Sequence, residues 1–187
     1  MRTSGSGLAC AGRARVLVVG ETGLTTAAQG EGLEVCEDGA DWVVAGLDRG
    51  FDYQKLARAT RAIRGGARFV ASNADALLPI EGGDVLPGAG SIVAAIRAAT
   101  GVEPVVVGKP EPAMFQAGVQ KLGGLQAAEV AMVGDRLDTD IAGGRAAGLR
   151  TILVLTGVTT RALLNAASVQ PDAVAEDLAG VSELLGW

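Results

Sequence analysis

Histidine is absent from this chain of 187 residues, and its absence excludes several kinds of chemistry. There can be no Ser-His-Asp triad, no histidine general base and no histidine metal ligand. Any catalysis would have to use carboxylates, lysine or the backbone. Aromatic residues are also scarce, at 3% of the chain, whereas glycine occurs 28 times. This composition favours a fold with many short strand–helix turns and a core of Ala, Val and Leu.

The chain has few cysteines and no long hydrophobic run. Cys10 and Cys36 are the only cysteines, and we expect both to be free thiols in a reducing compartment. No apolar run approaches the roughly 20 residues of a membrane-spanning helix. The N-terminal residues lack the apolar core of a signal peptide. With a formal net charge of −5, nothing indicates a nucleic-acid or membrane partner, and we expect a cytoplasmic protein.

Short apolar segments alternate with amphipathic ones, which is typical of an α/β fold. Residues 1–14 are small and polar and are predicted to be a disordered lead-in. Residues 15–103 should form one α/β unit, and residues 104–187 a second. The first strand is followed by the residues GETG (20–23), which could belong to a dinucleotide site. The spacing is not G-x-G-x-x-G, however, and an ordinary strand–helix turn explains these residues better.

Polar residues follow two apolar runs of the second unit. Lys109 follows residues 105–107, and Asp135 follows residues 130–133. Each could be only a turn residue or a helix cap. Because the carboxyl ends of parallel strands meet at one edge of a sheet, we expect Lys109 and Asp135 to converge, with Asp140 close behind. An ammonium group beside acidic oxygens suits a phosphate together with Mg²⁺.

These segments, VVVGKP (105–110) and VGDRLDTD (133–140), resemble the third and fourth motifs of the haloacid dehalogenase-like (HAD) phosphatases. The resemblance continues through RTILVLTG (150–157) and upstream through residues 69–75 and 87–96. It points to the branch that contains phosphoglycolate, glycerol-phosphate and nitrophenyl-phosphate phosphatases. It implies an α/β cap that selects the substrate, followed by the C-terminal part of a Rossmann-like core. That core would be a three-layer α/β/α arrangement with a mostly parallel sheet.

The resemblance also implies roles for individual residues. Asp135 would bind Mg²⁺, and Asp140 would support it or act as a second acidic ligand. Lys109 would neutralise the nucleophile and the phosphate of a small phosphorylated metabolite. The residues expected near the substrate are Ser72, Asn73 and Asp75. An Asx-type turn is an equally good explanation for the last two of these.

One family motif is missing. The nucleophile of HAD phosphatases lies in an apolar-D-x-D-G segment of the first core strand, and this sequence contains no such segment. We therefore expect this chain to be the C-terminal part of a phosphatase. It should be inactive alone and should bind Mg²⁺ only weakly. Residues 130–133 would form an open sheet edge, and the chain could self-associate there or through the cap. The alternative is a non-catalytic phosphate- or protein-binding module derived from the same fold.

Overall fold

The computed structural model describes residues 13–186. Within this range the chain forms two compact units, and the division between them falls between Val105 and Val106. Cys10 and nearly all of the predicted lead-in lie outside the described residues. Among the residues that are described, no helix is long and apolar enough to cross a membrane.

The first unit alternates strands and helices, as the sequence predicts. Its elements are β1 (Arg15–Val19), α1 (Thr22–Gly30), β2 (Glu34–Val35), β3 (Trp42–Ala45), α2 (Tyr53–Arg64), β4 (Arg68–Ala71), β5 (Leu77–Pro79), β6 (Val85–Pro87), α3 (Ala89–Thr100) and β7 (Val105–Val106). Five of the strands form one sheet in the order β2-β1-β3-β4-β7, in which β1 to β4 pair in parallel.

Burial explains why these segments fold as they do. Val16 in β1, Val43 in β3 and Ile96 in α3 are completely buried, as expected for a parallel sheet covered by helices. The Asp52 side chain accepts a hydrogen bond from the Lys55 amide at 2.8 Å and caps α2. α3 is followed by Gly101 in the left-handed conformation. The sequence predicts a strand over residues 15–19, a helix over residues 53–64 and a strand over residues 68–71, and these bounds are confirmed.

The glycines and prolines of residues 79–90 predict a loop, but the structure has a hairpin over residues 77–87. β5 and β6 pair antiparallel, with Leu77 opposite Pro87 and Pro79 opposite Val85. The chain reverses through Gly82 and Gly83, whose φ angles are 85° and 81°. Glycine and proline made this stretch look irregular in sequence. A two-stranded ribbon tolerates proline, because each strand has one side on which no ladder hydrogen bond is needed.

The second unit carries a smaller parallel sheet. Its elements are α4 (Pro112–Lys121), β8 (Ala131–Gly134), a π-helical turn (Leu137–Ile141), α5 (Ala142–Ala146), β9 (Arg150–Val154), α6 (Arg161–Ala166), β10 (Ala173–Ala175) and α7 (Leu178–Leu185). The strands pair in the order β10-β9-β8. Ile141 and Leu153 are fully buried and pack together with Leu164 of α6.

The edges of the two sheets differ from the prediction in one respect. We expected the strand near Val105 to begin the second unit, but β7 lies at the edge of the first sheet, next to β4. β8 is an edge strand, and no strand within residues 13–186 pairs with its outer side. Its open edge agrees with the expectation from the sequence.

Candidate functional site

Asp140 lies at the centre of the predicted site, with only 2% of its surface exposed. Its Oδ1 accepts a hydrogen bond from Lys109 Nζ at 2.6 Å. Its Oδ2 accepts hydrogen bonds from the backbone amides of Asp135 and Arg136, at 3.1 and 3.2 Å. A carboxylate is stable at such a buried position only when both oxygens are paired in this way. Asp140 therefore ties Lys109 to the loop after β8.

The local backbone is shaped around this carboxylate. A Cβ on Gly134 would overlap the side chain of Asp140, so only glycine fits at the end of β8. The amides of Asp140 and Ile141 both donate to the Arg136 carbonyl, at 3.0 and 3.1 Å, as the π-helical turn begins. The sequence predicts a regular helix from about residue 139 to residue 147, stopped by Gly148. The π-helical turn and the short α5 take its place and direct Asp140 back towards the β8 loop.

Asp135 is half-buried and is held by the turn that follows β9. Its Oδ2 accepts a hydrogen bond from the Val158 amide at 2.7 Å. Its backbone carbonyl accepts one from the Thr159 amide at 3.0 Å. No residue of the described range donates a hydrogen bond to its Oδ1. The two aspartates thus differ, because both oxygens of Asp140 are occupied and one oxygen of Asp135 is available.

Lys109 supplies the positive charge of the cluster. Its side chain is 41% exposed, whereas that of its partner Asp140 is 4% exposed. The ammonium group therefore stays accessible while it pairs with a buried carboxylate. With two carboxylates and one ammonium group, the cluster has a formal charge of −1. The net negative charge favours a cation at Asp135, and the ammonium group of Lys109 favours an anionic ligand beside that cation.

Asp138 lies outside this cluster. Arg136 donates two hydrogen bonds to its carboxylate, at 3.2 and 2.9 Å. These bonds lower the pKa of Asp138 from its ordinary value, although partial burial opposes the shift. The Asp138 side chain is 69% exposed. It forms a surface pair and joins neither Lys109 nor Asp135.

Ser72, Asn73 and Asp75 form a separate cluster in the first unit, at the end of β4. Asn73 Oδ1 accepts a hydrogen bond from the Asp75 amide at 3.1 Å, which is an Asx-type turn. Asn73 Nδ2 donates to Ser72 Oγ at 3.4 Å. Gly90 packs on this loop, and its amide donates to the Asp75 carbonyl at 2.8 Å. Asn73 therefore shapes the loop that carries these three polar residues.

Two further features were not predicted from the sequence. Asp48, after β3, is 5% exposed and accepts hydrogen bonds from Lys55 Nζ at 2.7 Å and from the Gly50 amide at 3.0 Å. An aspartate directly after an apolar run was the signal for it. It borders a cavity of about 410 Å³, whose other lining residues include Leu47, Arg49, Phe51, Leu78 and Leu86. The second feature, the Val158 amide, is a backbone donor with no signal in the residue types.

Among residues 13–186, no group of three or more acidic or cysteine side chains is placed so that it could hold a metal ion. Any metal bound at Asp135 would therefore need further ligands from water, a substrate or another segment. The predicted pair of metal ligands, Asp135 and Asp140, does not have equal access to a metal, because Lys109 and two amides occupy the Asp140 oxygens.

The fold and the site define an α/β protein with a lysine–aspartate cluster near the carboxyl ends of its strands. Comparisons with known proteins are consistent with this class. Residues 106–181 match the HAD-hydrolase-like family model. The chain is 45% identical over 148 residues to the 5'-nucleotidase YutF of Bacillus subtilis. The aligned region covers 79% of this chain and 57% of that protein.

Two solved structures are also similar. The p-nitrophenyl phosphatase from Archaeoglobus fulgidus has a TM-score of 0.84 and 39% identity, with coverage of 92% of this chain and 67% of that one. A glycerol phosphate phosphatase from Mycobacterium tuberculosis, in complex with magnesium, has a TM-score of 0.83 and 44% identity. This chain covers 51% of that phosphatase. The chain belongs to the HAD-like hydrolase superfamily, and it spans just over half of the nucleotidase's length.

Proposed function

We propose that this chain supplies the lysine and metal-binding part of a Mg²⁺-dependent phosphatase for small phosphate esters. The observation that carries this proposal is the link from Lys109 through buried Asp140 to the amide of Asp135. It holds a cation and a carboxylate together near strand ends, which is the usual place for chemistry in parallel α/β sheets. The relatives named as phosphatases support the same reaction class.

In this proposal the two units have different tasks. Residues 15–103 form the cap that selects the substrate, and residues 104–187 form the C-terminal part of the catalytic core. We assign substrate contact to Ser72, Asn73 and Asp75, because their polar groups gather at the carboxyl end of β4. Lys109 would balance the charge of the phosphate and of the nucleophile. Asp140 would keep Lys109 and the β8 loop in position.

The donor set at Asp135 fits Mg²⁺. Its Oδ1, which receives no hydrogen bond from residues 13–186, is a hard oxygen ligand, and Mg²⁺ is commonly held by one or two carboxylates together with phosphate oxygens and water. Asp135 would hold the metal, and Asp140 would act through its hydrogen bonds to the loop. When bound, Mg²⁺ supplies charge neutralisation and orientation of the phosphoryl group. A single carboxylate oxygen predicts weak binding to the chain alone, in the absence of a phosphate.

The nucleophile would come from a segment with the apolar-D-x-D-G motif, which this sequence lacks. The open edge of β8 offers a place where a further strand can pair. Covalent phosphoryl transfer requires a nucleophile in addition to a metal and a cation. We therefore expect no phosphatase activity from this chain alone and activity once such a strand is added.

The test is a fusion of this chain to the part of the Archaeoglobus phosphatase that it leaves unmatched, about a third of that protein. Hydrolysis of p-nitrophenyl phosphate with Mg²⁺ should appear in the fusion and not in the chain alone. Lys109→Ala and Asp135→Ala should abolish most of the activity. Lys121→Ala is the matched control, because Lys121 is an exposed lysine at the end of α4 in the same unit, and it should leave the rate unchanged.

Two results would contradict the proposal in different ways. If the chain alone hydrolyses the substrate and Lys109→Ala abolishes the activity, the nucleophile lies within this sequence. If the fusion folds and binds Mg²⁺ but remains inactive on a panel of phosphate esters, the enzyme assignment fails. A non-catalytic phosphate-binding module would then be the better description.

A further inference from the structure

The turn that follows β9, residues 155–158, and the next residue, Thr159, hold Asp135 at two points. The Val158 amide donates a hydrogen bond to Asp135 Oδ2 at 2.7 Å, and the Thr159 amide donates one to the Asp135 carbonyl at 3.0 Å. This turn closes the RTILVLTG segment, to which the proposed function gives no role. Together with Thr159, it contacts the side chain and the main chain of the same aspartate.

Gly157 makes this contact possible. A Cβ at residue 157 would overlap the carboxylate of Asp135. The φ angle of Gly157 lies outside the left-handed region, so the backbone itself would accept alanine. The overlap with Asp135 is therefore what requires glycine. Because residue 157 has no side chain, the carboxylate can approach the turn closely enough to reach the Val158 amide.

We infer that the 155–158 turn positions Asp135 for metal binding: Gly157 makes room for the carboxylate, and the Val158 amide fixes its Oδ2 and leaves Oδ1 for the cation. The inference rests on the proposed function, because it takes Asp135 as the Mg²⁺ ligand. A carboxylate that is already held by a hydrogen bond has less freedom to lose when the metal binds. Removing such a partner of a metal ligand typically weakens metal affinity about 10–100-fold.

The experiment uses the full chain and Mn²⁺ as a paramagnetic substitute for Mg²⁺. Mn²⁺ broadens amide resonances close to its site, and the broadening of the Asp135 resonance against Mn²⁺ concentration gives an apparent dissociation constant. Gly157→Ala should raise that constant about 10–100-fold. Gly118→Ala in α4 is the matched control, because a Cβ there meets nothing within 4 Å. It should leave the constant unchanged.

A second variant removes the donor without adding bulk. Replacing Val158 by the corresponding α-hydroxy acid exchanges its amide N–H for an ester oxygen and keeps the side chain. The apparent Mn²⁺ dissociation constant should rise in the same direction as for Gly157→Ala. If Gly157→Ala fails to fold, the Mn²⁺ dissociation constant of this ester variant alone tests the inference.

The possible failures are distinguishable. If the unsubstituted chain binds Mn²⁺ at Asp135 and both variants bind it equally well, the inference is overturned and the proposed function stands. A lower melting temperature with unchanged Mn²⁺ affinity of the folded protein also overturns the inference, because the turn would then be only structural. If the unsubstituted chain shows no broadening around Asp135 at any Mn²⁺ concentration, the proposed metal role fails together with the inference.

Discussion

Replacing Asp140 by Asn tests how far the second unit depends on one buried carboxylate. The substitution keeps the side-chain shape but removes the negative charge. That charge faces Lys109 Nζ at 2.6 Å and the amides of Asp135 and Arg136 at 3.1 and 3.2 Å. Hydrogen bonds to charged groups contribute about 1.5–3 kcal/mol each. The single oxygen of asparagine can serve either Lys109 or the two amides, but not both.

Two features of the site reduce the expected loss below the sum of these bonds. The Lys109 side chain is 41% exposed, so its ammonium group regains water when its partner is lost. The asparagine oxygen can also still accept hydrogen bonds from the two amides. Against these two gains, the NH₂ group of the asparagine would then lie buried beside the Lys109 ammonium group. Breaking a fully buried pair costs about 3–5 kcal/mol. We expect Asp140→Asn to lower the free energy of unfolding of the second unit by about 2–4 kcal/mol.

Native-state hydrogen exchange, followed by mass spectrometry, measures this effect for each unit separately. Peptides from α5 and β9 should lose protection, and peptides from β1 and β3 should keep theirs. Asp138→Asn is the matched control, because it removes the same charge from a side chain that is 69% exposed. Exposed pairs contribute about 0–1 kcal/mol. An Asp140→Asn effect no larger than the Asp138→Asn effect would refute the reasoning.

Three further predictions concern other parts of the chain. The hydroxyl and amide of Thr151 lower the pKa of Asp172. The lowered pKa stabilises the fold at pH values above the unfolded-state pKa of about 3.9. This stabilisation is lost as the pH falls through the lower, folded-state pKa. Thr151→Val should raise the Asp172 pKa in an NMR titration and reduce this acid-dependent loss, and an unchanged titration would contradict us. Ala131→Lys places a charge on the open edge of β8 and should reduce any concentration-dependent association in sedimentation experiments. Gly90→Ala should destabilise the first unit by about 1–3 kcal/mol in denaturant titrations, because its Cβ would overlap the backbone of the preceding loop. Gly30→Ala, where a Cβ meets nothing within 4 Å, should show no such loss.

Much of the fold could be predicted because local signals and burial agree. The short apolar run RVLVV indicated β1, and the Asp52 cap with the apolar stripe of α2 indicated the bounds of that helix. The loop predicted at residues 79–90 was wrong, because proline and glycine are common in short hairpins as well as in loops. The pairing partner of the short strand β7 also escaped prediction, because a two-residue apolar strand fits either sheet.

The site could be predicted only in part. Lys109 and Asp140 do pair, as the sequence predicts, but a shared sheet edge is not the reason, because β7 before Lys109 belongs to the first sheet and β8 before Asp135 to the second. The sequence could not tell which aspartate is buried and saturated with hydrogen bonds. That difference depends on the π-helical turn and on the absence of a side chain at Gly134. The donor from Val158 is a backbone group, and backbone donors leave no trace in residue types.

The unequal environments of the two aspartates determine how activity data on this site should be interpreted. Asp140 is buried and links Lys109 to the β8 loop, so its loss disturbs the fold and the site together. A loss of activity in an Asp140 variant would therefore not assign it a chemical role. Asp135 is half-buried, and its Oδ1 receives no hydrogen bond within the described range, so its loss should cost less stability. An Asp135 variant that keeps its fold but loses metal binding would separate chemistry from structure, and an Asp140 variant cannot do so.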